Sequence, residues 1–199
     1  MTAIKIFRYV LWALVAAAAT FATVLVIQQR DGNVTVLPDI KLGAPFALVD
    51  QNNAPITEAA MNGKPFVLFF GFTHCPEVCP TTLYELTDYF EKLGPEAEDI
   101  RAFFVSVDPE RDTPDVLKEY ISSFPRITGM TGNAAEIEAL KTAWKVYAKK
   151  VPLEGGGYTL DHTASTFLVK ADGSLMGTIA YGEKPEIALA KLKRLANGV

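Results

Sequence analysis

The chain has 199 residues and a net charge of −4, with 49% hydrophobic and 21% charged residues. This composition is typical of a globular protein and excludes an intrinsically disordered chain. No stripe of basic residues is present, so nucleic acid is not expected as a partner. The two cysteines are too few for the disulfide framework that holds small secreted domains together.

An uncharged apolar run, YVLWALVAAAATFATVLVI, occupies residues 9–27 and follows two basic residues. As a helix, a run of this length covers about the 30 Å of a bilayer core. A cleaved signal peptide is the alternative, with its site among the alanines at 16–19, but cleavage there would leave a hydrophobic new terminus. We therefore predict an uncleaved transmembrane helix within residues 1–30, followed by a linker over residues 31–44.

Basic residues next to a membrane span favour the cytoplasmic side. Because Lys5 and Arg8 precede the span, we predict a cytoplasmic N-terminus and a domain in the periplasm. The start of the chain is not the long Arg- and Ser-rich leader of an organelle import signal. The predicted location is therefore a bacterial inner membrane, which the chain crosses once.

Residues 45–199 are predicted to form one domain in which strand and helix patterns alternate. Continuous apolar runs at 64–72 and 100–108 are typical of strands buried on both faces. Two later strands, within residues 164–182, are expected to form a hairpin around Asp172-Gly173. Helices are expected after the first strand up to Gly94-Pro95, from Pro114 behind Thr113, across 134–151 behind Asn133, and from Pro185 to about Ala196.

The predicted order is strand, helix, strand, helix, helix, hairpin and helix. A strand–helix–strand unit requires a right-handed parallel crossover, whereas the late hairpin adds antiparallel strands to the same sheet. The predicted fold is therefore α/β, with a mixed sheet flanked by helices in the thioredoxin-like arrangement.

Both cysteines lie in GFTHCPEVCPTTL, residues 71–83, directly after the first predicted strand. In the thioredoxin-like arrangement this is the position of the reactive cysteines, at the N-terminus of a helix. A spacing of four places Cys75 and Cys79 on one helix face, and a helix N-terminus favours the thiolate form. The pair can therefore form a disulfide or hold a soft metal ion between two thiolates.

A third ligand would distinguish a metal site from a redox pair. His74 is adjacent to Cys75, so its side chain is expected to point elsewhere, whereas His162 lies in a loop that we expect to pack beside the cysteines. Two thiolates and one imidazole favour Cu(I), which accepts low coordination, over structural zinc. A simple disulfide with an unrelated polar histidine remains the alternative.

Three motifs resemble the Sco/SenC family of copper-binding proteins, which assist assembly of the dinuclear copper centre of cytochrome c oxidase. They are GFTHCPEVCPTTL, VSVDPERDTPDVL and DHTASTFLVKADG, and an N-terminal anchor accompanies them. The resemblance implies a thioredoxin-like domain on the outer face of the inner membrane, with copper bound as Cu(I) or Cu(II) by Cys75, Cys79 and His162. Asp161 also matches the family pattern, and we assign it at most a minor electrostatic role behind the ligands.

We therefore expect a monomeric copper metallochaperone rather than an enzyme. Its expected partners are the copper-bearing subunit of the oxidase, a copper donor, and a thiol reductant that reopens a Cys75–Cys79 disulfide. The alternative is a thiol–disulfide reductase that keeps the oxidase cysteines reduced without needing His162. Thioredoxin-type oxidoreductases place a cis-proline beside the reactive sulfur, but no proline occurs between Pro152 and Pro185.

The VDPERDTP segment is expected to be structural. Asp108 ends a strand, Asp112-Thr113-Pro114 starts a helix, and Arg111 is expected to pair locally. Phe69, Phe70 and Phe72 are expected in the hydrophobic core, with shielding of the site as a second role for Phe72. Gly155-Gly156-Gly157 is expected to form a flexible loop before His162.

Overall fold

The structure, a computed structural model, describes residues 5–9, 11–17, 19, 20, 23 and 40–198. The chain divides into two compact units, before and after residue 38. In the first unit all described residues are helical, and several of them, such as Trp12, carry exposed apolar side chains. Within the described ranges no helix combines the length and the apolar character that a membrane span requires. Several residues of the predicted span 9–27 lie outside these ranges, so the anchor stays a prediction.

The second unit contains nine strands and four α-helices in its described part. The strands are β1 (Ala47–Asp50), β2 (Pro55–Thr57), β3 (Phe66–Gly71), β4 (Arg101–Ser106), β5 (Ile127–Thr131), β6 (Ala148–Pro152), β7 (Tyr158–His162), β8 (Ser165–Val169) and β9 (Leu175–Ala180). The helices are α1 (Val78–Leu93), α2 (Pro114–Ile121), α3 (Ala134–Trp144) and α4 (Pro185–Ala196). Short 3-10 helices cover Glu58–Met61 and Gly94–Ala97.

Seven of the strands form one mixed sheet in the order β2-β1-β5-β4-β3-β8-β9. The three central strands, β5, β4 and β3, run parallel, and β8 joins β3 in the antiparallel sense. β8 and β9 form the hairpin predicted around Asp172-Gly173. The predicted mixed sheet with a parallel core and a late hairpin is therefore confirmed.

Strand β3 is buried along its whole length because helices cover both faces of the sheet. Trp144 of α3 packs against Phe66 and Phe70, whose side chains share one face. Tyr120 of α2 packs against Phe104, which lies on the opposite face beside Phe69 of the neighbouring strand. The continuous apolar run of β3 thus follows from its central place between two layers of helices.

Two predicted helix starts are confirmed by their capping hydrogen bonds. The Thr113 hydroxyl accepts from Val116 N at 3.4 Å, and Pro114 holds the first helical position of α2. The Asn133 side chain accepts from backbone N–H groups at the start of α3, and the Glu136 carboxylate accepts from Asn133 N at 2.9 Å. The reciprocal pair satisfies N–H groups that the helix itself cannot.

The helix predicted across 134–151 was wrong in its second half. α3 ends at Trp144 because Lys145 adopts a left-handed conformation, with φ of 59° and ψ of 34°, and its N–H bonds back to the last turn. Residues 148–152 instead form β6, which pairs antiparallel with β7 as a separate two-stranded sheet. Three successive glycines with positive φ, at 155–157, make the turn between the two strands.

The last residues of the predicted linker contact the domain. Ile40 O accepts from Leu175 N at 2.8 Å, and Gly43 N donates to Ala143 O at 3.1 Å. These bonds place residues 40–44 along the β8–β9 hairpin and the end of α3.

Candidate metal centre

The turn between β3 and α1 positions both cysteines. Cys75 lies in this turn, where its N–H donates to Phe72 O at 3.2 Å, and Cys79 is the second residue of α1. Cys79 N donates to Cys75 Sγ at 3.3 Å. The first turn of a helix leaves its backbone N–H groups without intrahelical partners, so the Cys75 sulfur here serves as a capping acceptor.

The two thiols differ in their readiness to ionise. A hydrogen bond from the Cys79 thiol lowers the pKa of Cys75 to about 3 against the opposing effect of partial burial, and the contact with His162 and the backbone N–H of Cys79 also lower it. The same thiol–thiol bond, followed by burial, raises the pKa of Cys79 above its ordinary value. Cys75 is therefore the thiolate of the pair at neutral pH, and Cys79 holds the proton.

His162 is the last residue of β7 and not the loop residue that the sequence suggested. Its Nδ1 lies 3.0 Å from Thr163 O, and a carbonyl oxygen only accepts, so Nδ1 carries the proton of the neutral ring. Nε2 then carries the free lone pair and lies 3.6 Å from Cys79 Sγ. A backbone bond at one ring nitrogen that frees the other is the arrangement of many metal-binding histidines.

Cys75, Cys79 and His162 bring their ligand atoms within 4.8 Å of one another, as sequence reasoning predicted. Cys79 is buried, whereas Cys75 and His162 are half-buried, so the group is reachable from one side. The ring of Phe72 meets the His162 ring edge to face at 5.6 Å between centroids, and Phe69 does so at 6.1 Å. Phe72 is buried in the core, as expected, and its ring also covers one side of the site. Two sulfurs and one imidazole nitrogen suit a soft ion of low coordination number.

The two neighbouring candidates lie outside this group. His74 is half-exposed, and its Nδ1 lies 3.0 Å from the hydroxyl of Thr73. Asp161 is exposed and pairs in register with Lys149 on β6. Because successive residues of a strand face opposite sides, the Asp161 carboxylate points away from the side that His162 occupies.

Sequence reasoning missed that Asp112 braces the cysteine-bearing turn. Its carboxylate is fully buried and accepts three hydrogen bonds, from Thr73 N at 3.0 Å, Thr73 Oγ1 at 2.7 Å and Ser106 Oγ at 2.5 Å. Thr73 stands two positions before Cys75, so the bonds fix the backbone that leads to the first ligand. The partners are 39 residues apart along the chain, and no local pattern predicts such a pairing. The predicted local pairing of Arg111 is confirmed by Asp108, with Nε 2.5 Å from Oδ2.

The mixed sheet, the cysteines at the head of α1 and the facing histidine define a thioredoxin-like protein with a potential Cys₂His metal site. The SCO1/SenC family model matches residues 35–197, and the chain belongs to this family. An SCO2-like protein of Rickettsia felis is 36% identical over 166 residues, which cover 81% of each chain.

Two solved structures illustrate the likeness. Bradyrhizobium japonicum ScoI with copper bound is 47% identical, with a TM-score of 0.71 over 77% of this chain and 99% of that chain. BsSco, a member of the Sco family of cytochrome c oxidase assembly proteins in which a disulfide switch was identified, is 26% identical, with a TM-score of 0.64. It matches over 80% of this chain and 96% of its own. Copper binding and a disulfide switch are thus properties of relatives with this fold.

Proposed function

We propose that this protein is a copper metallochaperone that binds copper through Cys75, Cys79 and His162 and helps to assemble the copper centre of cytochrome c oxidase. The observation that carries the proposal is the convergence of the three ligand atoms within 4.8 Å, on a face reachable from solvent. Copper bound to a relative that is 47% identical supports the choice of metal. The expected cargo is Cu(I) or Cu(II).

Release of the metal follows from the same geometry. The half-buried Cys75 and His162 are the ligands that an incoming acceptor can replace first, while the buried Cys79 leaves last. Each ligand exchange moves copper from one thiolate or imidazole to another without electron transfer. Loading displaces the proton that Cys79 retains at neutral pH, so copper binding should release about one proton per ion near pH 7.

Copper titration of the reduced chain beside two histidine variants tests the proposal. Wild type should bind one copper ion and show a thiolate-to-Cu(II) charge-transfer band. His162→Ala should weaken binding by about 10- to 100-fold and alter the band, since removal of a ligand costs at least as much as removal of a partner behind it. His74→Ala is the matched control, because His74 lies one residue from Cys75 yet outside the ligand group. Equal binding by wild type and the His162 variant would contradict the ligand set.

A thiol–disulfide reductase acting on the oxidase cysteines is the second candidate. It is favoured by the free Cys75–Cys79 pair, in which the pKa of one thiol is lowered and that of the other is raised. In such a reaction the Cys75 thiolate attacks a partner disulfide, and Cys79 then closes an internal disulfide and releases the reduced partner. Because His162 has no part in these steps, His162→Ala should leave reductase activity largely intact and cripple copper loading.

The carrier role also defines partners and a location. Both thiols must be reduced before they bind copper, so a dithiol reductant is required wherever the compartment favours the disulfide. A copper donor and the copper-bearing oxidase subunit complete the set. We place the domain, as a monomer, in the periplasm, held at a bacterial inner membrane by a single N-terminal span whose start is cytoplasmic.

A further inference from the structure

His162 belongs to an element that stands apart from the main sheet. β6 and β7 pair only with each other among the described strands, and His162 is the last residue of β7. No backbone ladder therefore ties this hairpin to the seven-stranded sheet that carries the cysteines. The two residues that link His162 to β8, together with the side-chain contacts of the hairpin, therefore set the position of His162 relative to Cys75 and Cys79.

Arg111 makes several polar contacts with this hairpin and beside it. Its Nη1 donates to the carbonyl oxygen of Tyr158, the first residue of β7, at 3.0 Å. Its guanidinium lies 3.8 Å from the centroid of the Tyr158 ring. Its Nε donates to the Asp108 carboxylate, to which Tyr158 Oη also donates at 2.8 Å. The three residues thus form a closed triangle of charge-assisted hydrogen bonds and cation–π stacking.

The triangle is anchored in the main sheet. Asp108 is only 1% exposed and directly follows β4, where its N–H donates to Ser106 Oγ at 3.0 Å. Arg111 also lies 6.0 Å from the ring of Phe72, which in turn meets the His162 ring edge to face. Arg111 therefore contacts Tyr158 at the start of β7 directly, and the ring of Phe72 lies between Arg111 and His162 at the end of β7.

A second ionic tether of the hairpin is weaker. Lys150 pairs with Glu110 at 2.6 Å, but both side chains are exposed, and exposed pairs contribute little to stability. By contrast, Arg111 is 24% exposed and pairs with a buried carboxylate. A lysine could keep the charge at this position but not the planar fork that reaches Asp108 and Tyr158 O together.

We propose that Arg111 is a positioning residue for the metal site, which clamps the β6–β7 hairpin through Tyr158 and Asp108 so that His162 faces the two cysteines. The inference deepens the proposed copper-binding role and rests on it for its effect on metal affinity. The clamp itself is a property of the metal-free protein.

Arg111→Lys in the full chain is the informative variant, and Arg126→Lys is its matched control. Arg126 is likewise half-buried, lies 4.4 Å from the Phe90 ring and donates to two backbone carbonyls, but at the opposite end of the sheet. Without metal, Arg111→Lys should speed backbone hydrogen exchange in residues 158–163 by at least about 10-fold relative to the control variant. Copper affinity should fall by about 10- to 100-fold, as it does when partners that orient metal ligands are removed.

A double-mutant cycle with His162→Ala separates positioning from general damage. If Arg111 acts through His162, Arg111→Lys should change copper affinity by less than about twofold once His162 is absent. An equal loss in both backgrounds, or an equal loss from Arg126→Lys, would overturn the proposal. If wild type and His162→Ala bind copper alike, the proposed function fails instead, and the metal-free exchange rates alone decide whether the clamp exists. Unchanged exchange in residues 158–163 would reject it.

Discussion

Gly71, the last residue of β3, is one of the closest neighbours of the metal site. A Cβ at this position would lie 2.8 Å from Cys79 Sγ and 2.6 Å from the ring of Phe104, closer than side-chain carbons approach in proteins. Glycine is needed here because the sulfur approaches the backbone, and the first residue of the quoted cysteine motif is thereby explained.

Gly71→Ala should therefore damage both stability and metal binding. Overpacking a core of this kind costs about 1–3 kcal/mol, and relief of the clash moves the Cys79 sulfur away from its partners. Urea unfolding and copper titration measure the two effects. Gly129→Ala is the control, because a Cβ on Gly129 of β5 would lie 2.7 Å from Leu117 of α2, away from the ligands. A similar loss of copper affinity in both variants would refute the specific role of Gly71.

The lowered pKa of Cys75 predicts an unusual reactivity profile. Above that pKa the thiolate fraction is constant, so alkylation of Cys75 by iodoacetamide should vary less than about twofold between pH 5.5 and 8. Cys79→Ala removes the largest of the interactions that lower the pKa of Cys75, so this pKa rises and the alkylation rate at pH 5.5 should fall relative to the rate at pH 8. Mass spectrometry of the labelled peptide measures both profiles. If the alkylation rate of the wild type already falls tenfold for each pH unit of acidification, the assignment of Cys75 as the thiolate is wrong.

At the scale of single elements, α3 depends on its capping box. Asn133→Ala removes an acceptor for two backbone N–H groups and should destabilise the domain by about 1 kcal/mol, as measured by urea unfolding. Copper affinity should not change, because the cap is not among the residues that contact the ligands. Asn62 is exposed and serves as the control, because Asn62→Ala should leave the free energy of unfolding nearly unchanged. Equal stability of the two variants would show that the cap contributes nothing.

Elements with strong local signals were predicted well. The starts of α2, α3 and α4, the buried strands β3 and β4, and the hairpin at Asp172-Gly173 all follow from caps, prolines, apolar runs and turn residues. The β6–β7 hairpin was missed because apolar residues of KVYAKKV continue the spacing of the preceding helix, so periodicity alone did not mark where α3 ends. Strands β1, β2 and β5 were missed as well. β5 carries Gly129 against Leu117 of α2, a packing requirement that overrides its low strand propensity.

At the scale of the whole molecule, every buried hydrophobic side chain among the described residues belongs to the second unit, between Leu48 and Leu195. A chain shortened to residues 31–199 should therefore keep the unfolding temperature and the copper affinity of the full chain, while only the full chain should float with lipid vesicles. Further truncation to residues 46–199 removes the hydrogen bonds of Ile40 and Gly43, so its unfolding temperature should fall by several degrees. Full-length protein that stays in the aqueous fraction would refute the predicted anchor.

The sequence by itself determined which ligand residues the site contains and which local elements surround them. A spacing of four at a helix start brings Cys75 and Cys79 together, and a constraint of such short range can be recognised from the sequence alone. The family motifs then singled out His162 from 83 residues away.

Only the tertiary structure decided how that histidine is held. Arg111 contacts Tyr158, the first residue of its strand, from 47 positions away, and Asp112 braces the cysteine-bearing turn from 39 positions away. A buried carboxylate such as Asp112 looks in sequence like an ordinary helix start, because its role arises from the partners that folding brings to it. Local patterns therefore predicted which atoms can bind, and the packing of distant segments set the geometry in which they meet.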